Sequence, residues 1–119
     1  MNKKDITTRA GIETMVKRQY ELLLANEITR DIFAGLDLEK HLPNIFDFWE
    51  MVVLGTPMVY TRNAFLPHTK LGLKKEHFET WIACITQAVD ENFEGPNAKK
   101  VTDHSKLMAA IFQSKMDIG

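Results

Sequence analysis

The sequence has one cysteine, no long apolar run and no large excess of charge of either sign. Cys84 alone cannot form an intrachain disulfide, which fits a reducing cytosol. No stretch approaches the ~20 apolar residues of a membrane-spanning helix. The net charge of -1 disfavours nucleic acid, because phosphate binding depends on clustered lysine and arginine. The charged first residues lack the apolar core of a secretory signal. We therefore expect a cytoplasmic protein with no membrane or nucleic-acid partner.

The chain is long enough to form one hydrophobic core. Its 119 residues, 45% of them apolar, suit a single domain over residues 1–119. A chain of this size buries roughly two-thirds of its unfolded surface, so it needs neither a metal nor a disulfide for stability. The sequence contains no alternating strand pattern and no internal repeat. Its apolar residues recur every three or four positions, which predicts an all-α fold.

The apolar period marks four long helices and one short helical corner. The predicted segments are residues 12–24, 27–36, 38–53, 75–92 and 101–112. Thr7 and Thr8 are suited to capping the first helix, and Asp37 is suited to capping the helix of residues 38–53. Pro43 lies inside that segment, where proline deletes a donor and crowds the preceding turn. This helix therefore either begins near Leu42 or has a distorted first turn. Residues 56–67 keep no period and are predicted to form a loop.

Four histidines are the candidates for metal or proton chemistry. They are His41, His68, His77 and His104. Neither His77 nor His104 has a partner at chelating spacing, and the sequence contains no HExxH, no CxxC and no pair of ExxH motifs. Neither a zinc nor a di-iron site is predicted. His77 adjoins Glu76 early in a helix, which is a solvated position. His104 lies on the apolar side of the last helix, where a core or boundary histidine is expected.

His68 has a different environment from the other three histidines. Pro67 fixes the backbone before it, and leucines 66, 71 and 73 surround it with apolar side chains. A buried neutral imidazole needs a partner for its lone pair, since an unpaired buried polar group costs about 1–3 kcal/mol. Haem iron would accept that lone pair. The alternative is a boundary histidine bonded to water or to backbone, and the residues alone leave both open.

Three hydrogen-bond donors fall on or beside apolar faces. Tyr20 lies on the apolar face of the first helix, Trp81 on a buried face of the fourth predicted segment, and His41 near the start of the third. Each side chain alone is consistent with an ordinary core residue whose polar tip reaches water. Together they would form a cavity able to hold a polar diatomic ligand such as dioxygen.

Taken together, these segments resemble a known family, the truncated haemoglobins, in particular the group III branch of the bacterial two-over-two globins. The resemblance runs from about Ile12 to Phe112. It is carried by QYELLLANEITRDIF, HLPNIFDFWEMVVLG and YTRNAFLPHTKLGLKKEHFETW, in that order. The spacings from His41 to Trp49 and from His68 to Trp81 make the match more specific than any single segment.

The resemblance implies a globin-like, truncated two-over-two helical sandwich around haem b. It implies that His68 is the proximal ligand of the haem iron. Tyr20 and Trp81 would be distal donors to the bound ligand, and His41 a distal histidine at the pocket entrance. Pro43 departs from the family pattern and would tilt His41 outward. The side chains implied to line the porphyrin are Phe33, Ile45, Phe48, Leu71, Phe78 and Ile82.

The family further implies binding of oxygen and other diatomic ligands, with chemistry on the bound ligand. The expected chemistry is nitric oxide detoxification or peroxide activation. The expected partners are dioxygen, nitric oxide or peroxide, together with an unidentified reductase. Two alternatives stay open. One is a hexacoordinate haem protein without turnover, in which His41 is the sixth ligand, and the other is a helical interaction module without a cofactor.

Overall fold

The computed structural model describes residues 3–35, 37–55 and 74–115. Within these ranges the chain forms five α-helices, which confirms the all-α prediction. They are α1 (Arg9–Ala25), α2 (Arg30–Ala34), α3 (Leu38–Leu54), α4 (Lys75–Asn92) and α5 (Pro96–Lys115). The predicted loop of residues 56–67 lies outside the described residues. Among the described helices, none is long and apolar enough to span a membrane.

Helix α1 begins at the cap that the sequence predicts. The Thr8 hydroxyl accepts a hydrogen bond from the Gly11 N–H at 3.1 Å, which satisfies one of the unpaired donors of the first turn. The helix ends at Asn26, whose backbone is extended. The buried face of the helix follows the helical period and consists of Ile12, Met15, Val16, Gln19, Tyr20 and Leu23.

Helix α3 contains Pro43 within its length. The helix begins at Leu38, so the alternative that it begins near Leu42 is wrong. Proline removes the bond that its own N–H would make to the carbonyl of Glu39. Glu39 and Pro43 are both solvent-exposed, so water can satisfy that carbonyl and the helix tolerates the proline. At the other end, Gly55 adopts φ 70° and its N–H bonds the Met51 carbonyl, as is common at helix C-termini.

Helix α4 begins with a cap that the sequence analysis did not anticipate. His77 was predicted to be a solvated surface residue. Its Nδ1 accepts an exposed hydrogen bond from the Lys74 N–H at 2.8 Å. The imidazole thus takes the place of the glutamate or glutamine that usually closes a capping box.

The helices form two layers of two. Helix α1 packs on α3 and helix α4 packs on α5, while α1 also packs on α4 and α3 on α5. These four contacts close a two-over-two sandwich around one main core, as predicted. Ile6, Ile12, Met15, Val16, Leu23, Ile85, Val89 and Val101 are among the most deeply buried core residues.

Polar contacts hold this sandwich together near the start of α1. The Arg9 guanidinium contacts Asp47 at 2.8 Å and Glu50 at 2.6 Å, both on α3, and lies 5.5 Å from the centre of the Phe46 ring. Before α1, the Asp5 carboxylate accepts hydrogen bonds from the first backbone N–H groups of α5. The N-terminal segment is therefore fixed to both helical layers.

Candidate functional site

Tyr20 and His41 form a polar pair where α1 faces the first turns of α3. The Tyr20 hydroxyl lies 3.2 Å from Nε2 of His41, and the two ring centres are 6.0 Å apart at a steep angle. Tyr20 is 5% exposed, and His41 is half-buried. The expectation that Pro43 turns His41 outward is therefore not met. Which of the two groups donates depends on the imidazole tautomer.

The surroundings of Tyr20 keep its hydroxyl protonated and in place. Burial raises the pKa of Tyr20 above its ordinary value, because an apolar environment disfavours the phenolate. Phe33 packs edge-on against the phenol at 5.7 Å between ring centres. Its own backbone is held by a hydrogen bond to the Thr29 carbonyl. The phenol is thus confined between Phe33 and His41 and can act as a hydrogen-bond donor.

Helix α4 brings Trp81 to the junction of two apolar clusters. Trp81 is half-buried and packs against the main core and also against a second cluster of Phe78, Ala109 and Phe112. Ile82 packs against the second cluster as well. Phe78 is 3% exposed, while Trp81 and Ile82 keep part of their surface uncovered by the described chain.

Helix α3 contributes Ile45 and Phe48, which are also half-buried. Phe48 contacts Trp49, with ring centres 5.1 Å apart, and His104 of α5 at 5.7 Å. Burial lowers the pKa of His104, which favours the neutral imidazole beside these rings. The prediction of a core or boundary histidine at this position is confirmed. Its pairing with Phe48 was not predicted, because no sequence spacing relates side chains on two separate helices.

Two predicted site residues, His68 and Leu71, lie outside the described residues. The structure thus describes the predicted distal donors and most of the predicted wall, but not the predicted iron ligand. Within residues 3–35, 37–55 and 74–115, no group of three or more His, Cys, Asp or Glu side chains is arranged to hold a metal ion.

Comparison with known proteins adds a family assignment to this geometry. The family model described as bacterial-like globin matches residues 4–115. No curated protein matches the sequence. The fold is similar to that of a group III truncated haemoglobin from Campylobacter jejuni. That structure is 19% identical, with a TM-score of 0.84, covering 97% of this chain and 95% of that one.

The structural likeness confirms the predicted truncated globin fold. The family match covers nearly the whole chain and includes all five described helices. This chain therefore belongs to the bacterial-like globin family, which implies a haem cofactor.

Proposed function

We propose that this chain is a cytoplasmic haem b protein, one domain over residues 1–119, that binds dioxygen and other diatomic ligands. The observation that carries the proposal is the Tyr20 hydroxyl 3.2 Å from His41 Nε2, since these polar groups meet in apolar surroundings. Haem, when bound, supplies an iron that coordinates diatomic ligands. Membership of the globin family supports this cofactor.

The described residues fit such a cofactor. A porphyrin needs apolar walls, and a ligand site needs a few placed polar groups beside them. Ile45, Phe48, Trp81 and Ile82 come from two helices and are only half-buried by the chain itself. The flat, largely apolar porphyrin would cover the remaining surface of these four side chains. The phenol of Tyr20 provides the polar side.

Each polar residue has a distinct proposed role. Tyr20 donates a hydrogen bond to the ligand, because its burial keeps the hydroxyl protonated. His41 orients that hydroxyl from 3.2 Å and stands at the pocket entrance. Trp81 is a second donor, from α4. His68 is the proposed iron ligand, and with Leu71 it lies outside the described residues.

These donors favour chemistry on the ligand over simple delivery. Each hydrogen bond of about 1 kcal/mol changes a binding equilibrium roughly fivefold, so several donors slow ligand release. A slowly released ligand has time to react. We therefore propose nitric oxide detoxification or peroxide activation as the activity, with an unidentified reductase as the partner that would supply electrons. Formation of nitrate from nitric oxide, and dye oxidation by hydrogen peroxide, test the two reactions separately.

The first experiment is the absorption spectrum of protein purified from haem-supplied cells, with and without carbon monoxide. We expect a Soret band that shifts with carbon monoxide and is lost or strongly altered in His68→Ala. A colourless protein would instead indicate an interaction module without a cofactor. A low-spin spectrum of the unligated ferrous protein, abolished in His41→Ala, would instead make His41 the sixth ligand.

The second experiment tests the distal donor. Removing one hydrogen bond worth 0.5–1.5 kcal/mol predicts that Tyr20→Phe speeds dissociation of oxygen by roughly two- to twelvefold. The control is Thr14→Val, which removes an exposed hydroxyl from the same helix, bonded to the Ala10 carbonyl at 3.0 Å. We expect the control to leave the dissociation rate unchanged. An unchanged rate in Tyr20→Phe would remove that residue from the proposed role.

A further inference from the structure

Gln19 places a primary amide in the apolar core of the protein. The side chain is 2% exposed, and its Nε2 has no hydrogen-bond partner. One helical turn to either side lie Met15, Val16 and Leu23, all 0% exposed. Residues three and four apart share one face of a helix. The carboxamide therefore lies among buried hydrocarbon side chains.

An unpaired amide at this depth is costly to keep. Leaving a buried donor unsatisfied weakens folding by roughly fivefold to more than a hundredfold in the equilibrium constant. A methionine would fill the same face of α1 without that cost. In folded proteins buried polar groups of this kind are satisfied by the chain itself or by ordered water.

The other two glutamines of the chain show how the protein can satisfy this group. Gln113 donates from Nε2 to the Ala109 carbonyl at 3.2 Å, and Gln87 donates to Glu91 at 3.1 Å. Ser105 is a second buried residue whose polar atom has no partner. A serine hydroxyl has a single donor, which can bond the carbonyl four residues earlier after rotation about χ1. Gln19 has two N–H donors to place, and its Nε2 makes no such bond to the helix backbone.

We propose that Gln19 binds an internal water molecule on the buried face of α1. The carboxamide supplies both donors and an acceptor to such a molecule, and helix carbonyls keep a second lone pair that a water can use. Gln19 directly precedes Tyr20, and successive residues of a helix point about 100° apart. The water site is thus next to the ligand pocket but separate from it. The inference of a water site depends only on the burial of Gln19 in α1 and not on the proposed haem function.

The direct test is a water-selective nuclear Overhauser measurement on the full-length, ¹⁵N-labelled protein as purified; if it carries haem, the protein is first brought to the diamagnetic carbon monoxide-bound ferrous state. We expect the side-chain amide of Gln19 to show a cross-peak to water with the sign of a long-lived contact. The exposed amide of Gln87 serves as the reference for water that exchanges fast. The phenol proton of Tyr20 exchanges with water and could relay magnetisation to the Gln19 amide. A cross-peak that persists in Tyr20→Phe excludes this route. Absence of the Gln19 cross-peak overturns the proposal.

The second test is the sign of a stability change. If the amide were simply unpaired, Gln19→Met would shift the unfolding equilibrium in urea at least fivefold toward the folded state. A bound water predicts no such gain, because the substitution then removes a satisfied group. Gln87→Met is the control at an exposed position. A fivefold gain in Gln19→Met overturns the proposal. Should that variant fail to fold, the cross-peak in the unsubstituted protein decides the question.

Discussion

Replacing Asp5 by alanine is expected to destabilise the whole fold, although this residue precedes the first helix. Its carboxylate accepts three backbone hydrogen bonds, from Asn97 at 3.0 Å and from Ala98 and Ile6 at 2.9 Å. Two of these satisfy donors of the first turn of α5 that have no partner within the helix. The negative charge also lies at the positive end of that helix.

The magnitude follows from these three bonds. Loss of a helix cap costs about 0.5–2 kcal/mol, and a hydrogen bond to a charged group contributes about 1.5–3 kcal/mol. Because the three bonds share one partly exposed carboxylate, we expect a loss of about 2–3 kcal/mol for Asp5→Ala. Asp5→Asn keeps one acceptor oxygen and is expected to lose about half as much. For a chain of this size 2–3 kcal/mol corresponds to a fall in Tm of roughly 8–12 °C.

The pH dependence of this contribution has a defined sign. Burial alone would raise the pKa of Asp5, but the backbone hydrogen bonds outweigh burial and hold the pKa below its usual value. A carboxyl whose pKa is lowered by folding stabilises the protein above its unfolded pKa. That stabilisation is lost as the pH falls through the folded pKa. The difference between the original protein and Asp5→Ala should therefore be full at neutral pH and fall to about half in strong acid, where the protonated carboxyl keeps one acceptor oxygen.

Urea unfolding followed by circular dichroism at several pH values provides the measurement. The control is Asp103→Ala, which removes an exposed carboxylate paired with Lys99 at 2.9 Å on the surface of α5. Exposed pairs of this kind contribute little, so we expect a change below about 0.5 kcal/mol. Equal effects of Asp5→Ala and Asp103→Ala would refute the reasoning, because they would show that the backbone contacts of Asp5 add nothing to stability.

Two further predictions concern the same end of the molecule. A Cβ at Gly95 would lie 2.6 Å from Cγ of Asp5, on backbone with φ +135°, so Gly95→Ala should cost more than about 1 kcal/mol. Gly35→Ala meets nothing within 4 Å and should be neutral or stabilising by about 0.4–1 kcal/mol; thermal unfolding of both variants compares them, and equal losses would contradict the prediction. Arg9→Leu loses two ion pairs to α3 and a contact with an aromatic ring, which predicts a loss of about 1–2 kcal/mol in urea unfolding. Lys17→Leu, whose ion pair with Glu13 is exposed and 4.0 Å long, should change stability by less than about 0.5 kcal/mol, and a loss as large as that of Arg9→Leu would contradict the account of Arg9.

Local signals predicted the helices well because each depends on a few neighbouring residues. Thr8 lies at the start of α1, where the sequence indicated a cap. Asp37 has the predicted N-cap position, but its side chain makes no cap bond. The apolar period also placed the long helices within a few residues of their observed ends.

Contacts between distant segments were not predictable in the same way. Asp5 precedes α1, and the backbone groups that it binds lie 92 and 93 positions later. Arg9 reaches α3 across 38 and 41 positions. No periodicity or capping rule connects such residues. The convergence of Tyr20 and His41 was predictable only through the family resemblance, which carries information about three-dimensional packing that a single sequence does not display.

The first turn of α1 stabilises the fold, whereas Tyr20 of the proposed ligand site lies in the second half of the helix. Arg9 and the segment before it tie the layers together at the start of the helix, whereas Tyr20 lies eleven residues later, roughly 16 Å along the helix axis. Substitutions that far apart with no shared partners usually act additively. Loss of the Arg9 or Asp5 contacts should therefore lower stability without changing the distance between the Tyr20 hydroxyl and His41. Ligand properties set by that pair can then vary independently of the contacts that keep the sandwich folded.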